Sequence, residues 1–215
     1  MMNPIIAIYL ILFTSTFLYA NLNQKYSYRK LSTEKTDSVT MQVHIRGDTA
    51  IILNCDNSKL STTFLSTSNN LPYKFTQKGI SDSDNIAVEW DYKHGQIFFN
   101  GTKMPLSKNN YINSGSLFYV FGKIAPRSLY GKTKCNLLSI NGKNTFEVEL
   151  EYVNDEGVLI NNNSIDCKKI SMRLIGVPGI FWPYKYYYWY SIQEGCLIRY
   201  QGPGASKNIE TIELR

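Results

Sequence analysis

The stretch LLSINGKNTFEVELEY, residues 137–152, decides how the chain is read. From Phe146 onward the residue types alternate. Phe146, Val148, Leu150 and Tyr152 are apolar, while Glu147, Glu149 and Glu151 between them are charged. A period of two marks a strand with one buried and one wet face. Asn141-Gly142 separates this stretch from the apolar Leu137–Ile140, and Asn-Gly between such runs is the strongest short-range hairpin signal. The spacing predicts strands over 134–140 and 144–152. A third over 164–175 completes a meander.

The same period recurs outward. Val39, Met41, Val43 and Ile45 alternate with polar residues, as do Ile170, Met172 and Leu174. Thr49–Cys55, Ile86–Tyr92 and Leu117–Phe121 are short apolar runs of the kind found in buried strands. Asn100-Gly101 predicts a second tight hairpin. Lys93-His94-Gly95 and Asn154-Asp155-Glu156-Gly157 predict further turns. No stretch of ten or more residues has helical amphipathicity. The expectation is an all-β chain, an antiparallel β-sandwich or partly open barrel, with little or no helix after a leader. Gly47–Cys55 resembles the second strand of an immunoglobulin domain. Trp90 comes too late after Cys55 for that family's core tryptophan, and no Tyr-x-Cys corner follows, so the family is declined.

With 43% hydrophobic residues in 215, the chain is apolar enough to pack a core and too apolar for a disordered one. Met1–Ala20 holds no Asp, Glu, Lys or Arg and ends its apolar run at a small residue, the pattern of a secretory signal peptide. Residues 21–215 then form a single β-sandwich domain, or two small β subdomains tied by a disulfide. No transmembrane span is expected after signal cleavage. Secretion makes Cys55, Cys135, Cys167 and Cys196 a disulfide set. The meander holds Cys135 and Cys167 two strands apart, which favours Cys55–Cys135 with Cys167–Cys196. Asn100 and Asn162 head two glycosylation sequons.

No catalytic or metal-binding motif is present, so neither an enzyme nor a cofactor is expected. His44 and His94 read as surface residues. Gly131-Lys132-Thr133 lacks the first glycine of a phosphate loop, because Pro126 stands there. Three features suit binding. Tyr92–Phe146 contains eight basic and no acidic residues, which accounts for the whole net charge of +6. Its densest group is Lys123, Arg127, Lys132 and Lys134, and clustered cations attract polyanions. Alternation places Trp182, Tyr184, Tyr186 and Tyr188, with Tyr190, on one face of an aromatic strand suited to sugars or protein hot spots. Arg46-Gly47-Asp48 resembles the integrin-recognised tripeptide at a predicted hairpin tip.

Abundant Asn, Ile, Lys and Tyr with scarce Ala is a bias of AT-rich genes, common in parasites and some large viruses. The expected function is a secreted, extracellular, non-enzymatic binding protein, an effector facing a host or cell surface. Its partner would be a protein receptor or an anionic glycan such as a sulfated one, not nucleic acid. The rival readings are an integrin-type adhesion ligand, a glycan-acting hydrolase and a structural surface glycoprotein.

Overall fold

The structure is a computed structural model that describes residues 23–215, apart from 32–35, 57–58, 83–84, 107–108, 113, 127, 129, 143 and 204–207. The leader reading of Met1–Ala20 therefore lies outside the described residues. Among the described residues, fifteen strands form one sheet. They are β1 (Asn23–Leu31), β2 (Thr36–Arg46), β3 (Thr49–Asp56), β4 (Lys59–Ser66), β5 (Pro72–Lys78), β6 (Ile86–Asp91), β7 (Gln96–Phe99), β8 (Thr102–Pro105), β9 (Asn110–Ile112), β10 (Lys132–Leu138), β11 (Thr145–Ile160), β12 (Asn163–Leu174), β13 (Lys185–Ser191), β14 (Leu197–Pro203) and β15 (Ile209–Leu214). Two short helices, α1 (Leu117–Ile124) and α2 (Val177–Phe181), complete the described structure.

The sheet is two meanders joined at the chain's ends. β1 to β8 follow one another, β9 to β15 follow one another, and β1 pairs antiparallel with β15. Among the described residues, only β9 and β10 run parallel. The sheet curls so that β9 meets β5 rather than the last strand, β8. β6 and β7 run past this meeting line. Their Val88, Trp90 and Ile97 pack with Phe75 of β5, Ile112 of β9 and Leu138 of β10. The architecture is all-β and barrel-like.

Four predicted turns close hairpins, one of them Lys93-His94-Gly95 between Asp91 and Gln96. Gly47-Asp48 joins Arg46 to Thr49, and Asn100-Gly101 joins Phe99 to Thr102. Asn100 and Gly101 both have positive φ, the mirror-image turn that matches strand twist. Asn141-Gly142 lies between β10 and β11, with Leu138 opposite Thr145. The turn expected at Asn154–Gly157 is absent. β11 runs straight through these residues on a bulge between Tyr152 and Asn154. The reversal comes at Asn161-Asn162, again with positive φ at both. The bulge changes the parity of the strand. Val148 and Leu150 face the main core, whereas Val158 and Ile160 pack on the other face with Cys167, Trp189 and Ile198.

The run Leu117–Phe121, expected as a strand, is the start of α1. Leu117, Val120 and Phe121 have helical spacing, and all three are buried in the main core. The helix lies inside the curl. Phe121 meets Tyr188 edge-on at 5.3 Å and Phe118 lies 5.5 Å from Tyr200. A Cβ on Gly122 would come within 2.9 Å of the Tyr190 ring, so the helix and β13 approach through a residue with no side chain.

The disulfide expectation is corrected, because all four cysteines are free thiols. Cys135 is buried in the main core, while Cys55 is exposed on the outer face of β3. The sheet itself separates them. Cys167 lies opposite Ser191, and the Ser191 amide donates to the Cys196 carbonyl. Ser191 thus stands between the backbones of Cys167 and Cys196, and two strand spacings of about 9–10 Å exceed the Cα reach of about 7 Å. Burial pushes Cys135 up to about 12 and Cys167 up to about 11. Burial, then a hydrogen bond to Glu194, pushes Cys196 up to about 12. In unreduced folded protein a thiol reagent at mildly alkaline pH should modify Cys55 promptly and the other three only after denaturation. Finding fewer than four reactive thiols after unfolding without reductant would contradict this arrangement.

Candidate functional site

The curl encloses a cavity of about 660 Å³. Val39 near the start of β2, Leu174 near the end of β12, Tyr186 near the start of β13 and Ile212 of β15 all border it. Antiparallel order brings these positions to one end of the sheet. Leu117 and Phe118 of α1 form its inner wall, and Pro178, Phe181 and Trp182 its rim. Phe181 is 81% exposed, with Val177 at 67% and Ile180 at 75%, so α2 carries an apolar surface at the mouth.

The aromatic segment divides by parity. Tyr186, Tyr188 and Tyr190 belong to the main core side, and Tyr187 and Trp189 to the outer face. Tyr186 and Tyr188 border the cavity, as does Trp182. The Trp182 indole N–H donates to the Tyr186 hydroxyl at 2.9 Å, and Tyr184 packs edge-on to Trp182 at 5.0 Å. The Tyr188 hydroxyl donates to the Met172 sulfur at 3.8 Å. Desolvation raises the phenols of Tyr188 and Tyr190 well above their usual range, so both remain neutral donors. Trp182, Tyr186 and Tyr188 therefore meet in the wall of a cavity rather than forming an exposed strand face. Tyr184 lies beside them.

The cavity also has a polar wall. Asn54 and Asp56 point inward from β3, and they border a second cavity of about 540 Å³ together with Ser61, Gln77 and Asn141. Ser114 and Gly115 are common to both cavities. Asn54 Oδ1 and Asp56 Oδ1 are buried and accept no hydrogen bond. An unpaired buried acceptor costs about 1–3 kcal/mol. The Asn54 amide is pressed against the backbone of Gly115, where any Cβ would collide with it. Sequence reasoning missed Asn54 and Asp56. Their one signal was a polar residue at alternate positions of an otherwise apolar strand, after Ala50 and Ile52.

The basic segment is spread over different elements. Lys123 closes the last turn of α1, with its ammonium 5.1 Å from the Tyr119 ring centre. Lys132 and Lys134 alternate with Cys135 and Leu137 and so lie on the outer face of β10. Arg127 lies outside the described residues. Lys132 is engaged by Glu149 at 3.2 Å and Glu151 at 3.3 Å, and Arg173 also reaches Glu149 at 2.8 Å. Arg46, Gly47 and Asp48 are exposed at the hairpin tip, with Gly47 at φ +57°. This tip is at the end of β2 remote from the cavity, about 23 Å along the strand from Val39. Asn100 and Asn162 occupy exposed hairpin tips. The Asn100 side-chain oxygen accepts the Ala87 amide at 2.7 Å.

No protein-family model and no curated protein matches the sequence. Among solved structures, the chain is similar to a β-barrel-like protein of the domain of unknown function DUF1849 from Brucella abortus. The TM-score is 0.61 at 7% identity, over 92% of this chain and 96% of that one. At that identity the likeness establishes a shared barrel-like fold.

Burial alone would raise the Glu149 carboxyl, but hydrogen bonds and charge from Arg173 and Lys132 outweigh it and hold it below the usual carboxylate range. Such a group stabilises the fold above its unfolded pKa, and the contribution is lost as pH falls through the lower folded value. Glu149→Gln should therefore unfold more easily than the parent at neutral pH. The two should converge as the pH drops below about 4, the ordinary glutamate range, in urea titrations across pH.

Proposed function

We propose that this is a secreted, non-enzymatic binding protein that holds a small apolar molecule inside its barrel-like sheet. The observation that carries the reading is the cavity of about 660 Å³, walled by Trp182, Tyr186, Tyr188 and Tyr200 around aliphatic side chains. Small-molecule sites usually measure about 300–1,000 Å³ and are mostly apolar with a few placed polar groups. Tyrosine and tryptophan supply large apolar area at low entropic cost. The exposed apolar turn of α2 gives an apolar molecule a route past Phe181 that avoids crossing polar surface. Export rests on the composition of Met1–Ala20. Recognition of an anionic glycan or receptor through Lys123, Arg127, Lys132 and Lys134 has only the charge of the segment behind it.

Leu174 borders the cavity. Leu174→Trp should fill part of it and weaken binding of a fluorescent apolar probe such as anilinonaphthalene sulfonate by about tenfold, with the fold retained by circular dichroism. Equal probe affinity in the folded variant and the parent would remove the cavity from consideration.

A second reading has its own support. Arg46-Gly47-Asp48 stands exposed on a two-residue turn, which suits an adhesion ligand. Asp48→Ala should then abolish integrin-dependent cell attachment. Unchanged attachment would discard the adhesion role.

A further inference from the structure

Two orphaned acceptors specify the head group of the apolar ligand proposed above, and their assignment rests on that ligand occupying the cavity. Asn54 is 7% exposed, and its Oδ1 accepts nothing. Asp56, two residues on and on the same face of β3, has a buried Oδ1 in the same condition. Both border the apolar cavity and its polar neighbour, so they mark the line where one lining gives way to the other. Three donors of the apolar wall are already committed. The Ser114 hydroxyl is bonded to Ser116 at 2.8 Å, the Trp182 N–H to Tyr186, and the Tyr188 hydroxyl to Met172. Glu210, also in the apolar wall, is matched by Lys30 at 3.3 Å. Lys59 lies opposite Asp56 in the β3–β4 register and borders the second cavity, which keeps the local charge close to balanced. The two acceptors thus lack a donor although the charge around them is nearly balanced.

A buried acceptor with no donor in the protein is satisfied when a ligand brings one. We infer that the ligand is an amphiphile whose apolar body fills the aromatic cavity and whose head group donates hydrogen bonds, as a hydroxyl or a protonated amine, to Asn54 Oδ1 and Asp56 Oδ1. A carboxylate head has no donor and would face the Asp56 oxygen directly, so fatty acids are disfavoured. Gly115 is a positioning residue in this scheme, because it leaves the room in which the Asn54 amide sits.

The test uses the full chain at neutral pH and three probes of equal chain length: dodecanol, dodecylamine and dodecanoate. Displacement of the fluorescent probe gives each affinity. Dodecanol and dodecylamine should bind about tenfold more tightly than dodecanoate, about the effect of one buried hydrogen bond. Comparison of the first two separates a neutral from a cationic head. Asn54→Leu should weaken dodecanol and dodecylamine several-fold and leave dodecanoate, which Asp56 still opposes, unchanged. Asp56→Asn, which keeps the shape and adds a donor, should improve dodecanoate several-fold. It keeps the question open to experiment if Asn54→Leu fails to fold. Dodecanoate binding as tightly as dodecanol would overturn the head-group assignment while leaving the apolar cavity standing. So would a preference that persists undiminished in both variants. Failure of all three probes to displace the dye would remove the cavity reading itself.

Discussion

Four register pairs, Tyr28–Leu214, Arg29–Glu213, Lys30–Ile212 and Leu31–Thr211, hold the molecule together as one sheet. Each half of the chain is a local meander that forms from neighbours in sequence. The β1–β15 ladder is the contact that makes the halves continuous, and it joins strands from the two ends of the described chain. Closing so long a loop is entropically costly. The compensation is local and visible. Tyr28 is fully buried at the junction, and Glu213 takes Arg199 at 2.7 Å on one side and Arg29 at 3.4 Å on the other. The inner faces of β2, β3, β13 and β15 then surround one space, which α1 partly fills with Phe118 and Phe121. The cavity is the part of that space α1 does not fill.

The two faces of the sheet are specialised by chemistry. Inside, aromatic rings meet edge-on or tilted around Tyr188, with Phe121 at 5.3 Å and Tyr200 at 5.2 Å. Outside, charge is organised around carboxylates. Glu149 gathers Lys132 and Arg173, and Glu156 takes the Trp189 N–H at 2.6 Å and Lys169 at 3.2 Å. Lys169 in turn lies over the Trp189 ring at 4.9 Å. The outer face of β11 to β14 is therefore a mixed apolar and ionic layer held by the long β11–β12 hairpin.

Strand identity was legible where the residue pattern alternates, as at Val39–Ile45, Phe146–Tyr152 and Ile170–Leu174. Asn-Gly pairs marked two turns, Asn100-Gly101 with positive φ at both residues and Asn141-Gly142 with positive φ at the glycine alone. Asn154–Gly157 misled because turn-favouring residues also tolerate a bulge, and only the partner strand decides between them. Leu117–Phe121 misled because a five-residue apolar run has no period long enough to separate helix from strand; Ile124 completes the helical spacing. Cysteine number suggested a framework, whereas pairing depends on faces and distances. Trp182, Tyr186 and Tyr188 were recognisable as a unit, but not as a cavity wall. The remainder of that wall comes from β2, β3, β10, β11, β12, β14, β15 and the two helices, and no linear window contains it.

The ends of the sheet, β8 and β9, remain unpaired with each other, and β9 meets β5 through side chains. Lys103 and Pro105 on β8 discourage an incoming strand. A hoop closed by a hydrogen-bonded ladder has a fixed circumference, set by strand number and stagger. This hoop is a coil with an overlapping flap, and side-chain packing such as Trp90 and Ile97 against Ile112 holds the overlap. Sliding at that overlap breaks no backbone hydrogen bond. The bore is thus set by side-chain contacts, among them the buried bond from the Trp90 indole N–H to Asn110 Oδ1 at 3.2 Å, rather than by a closing ladder.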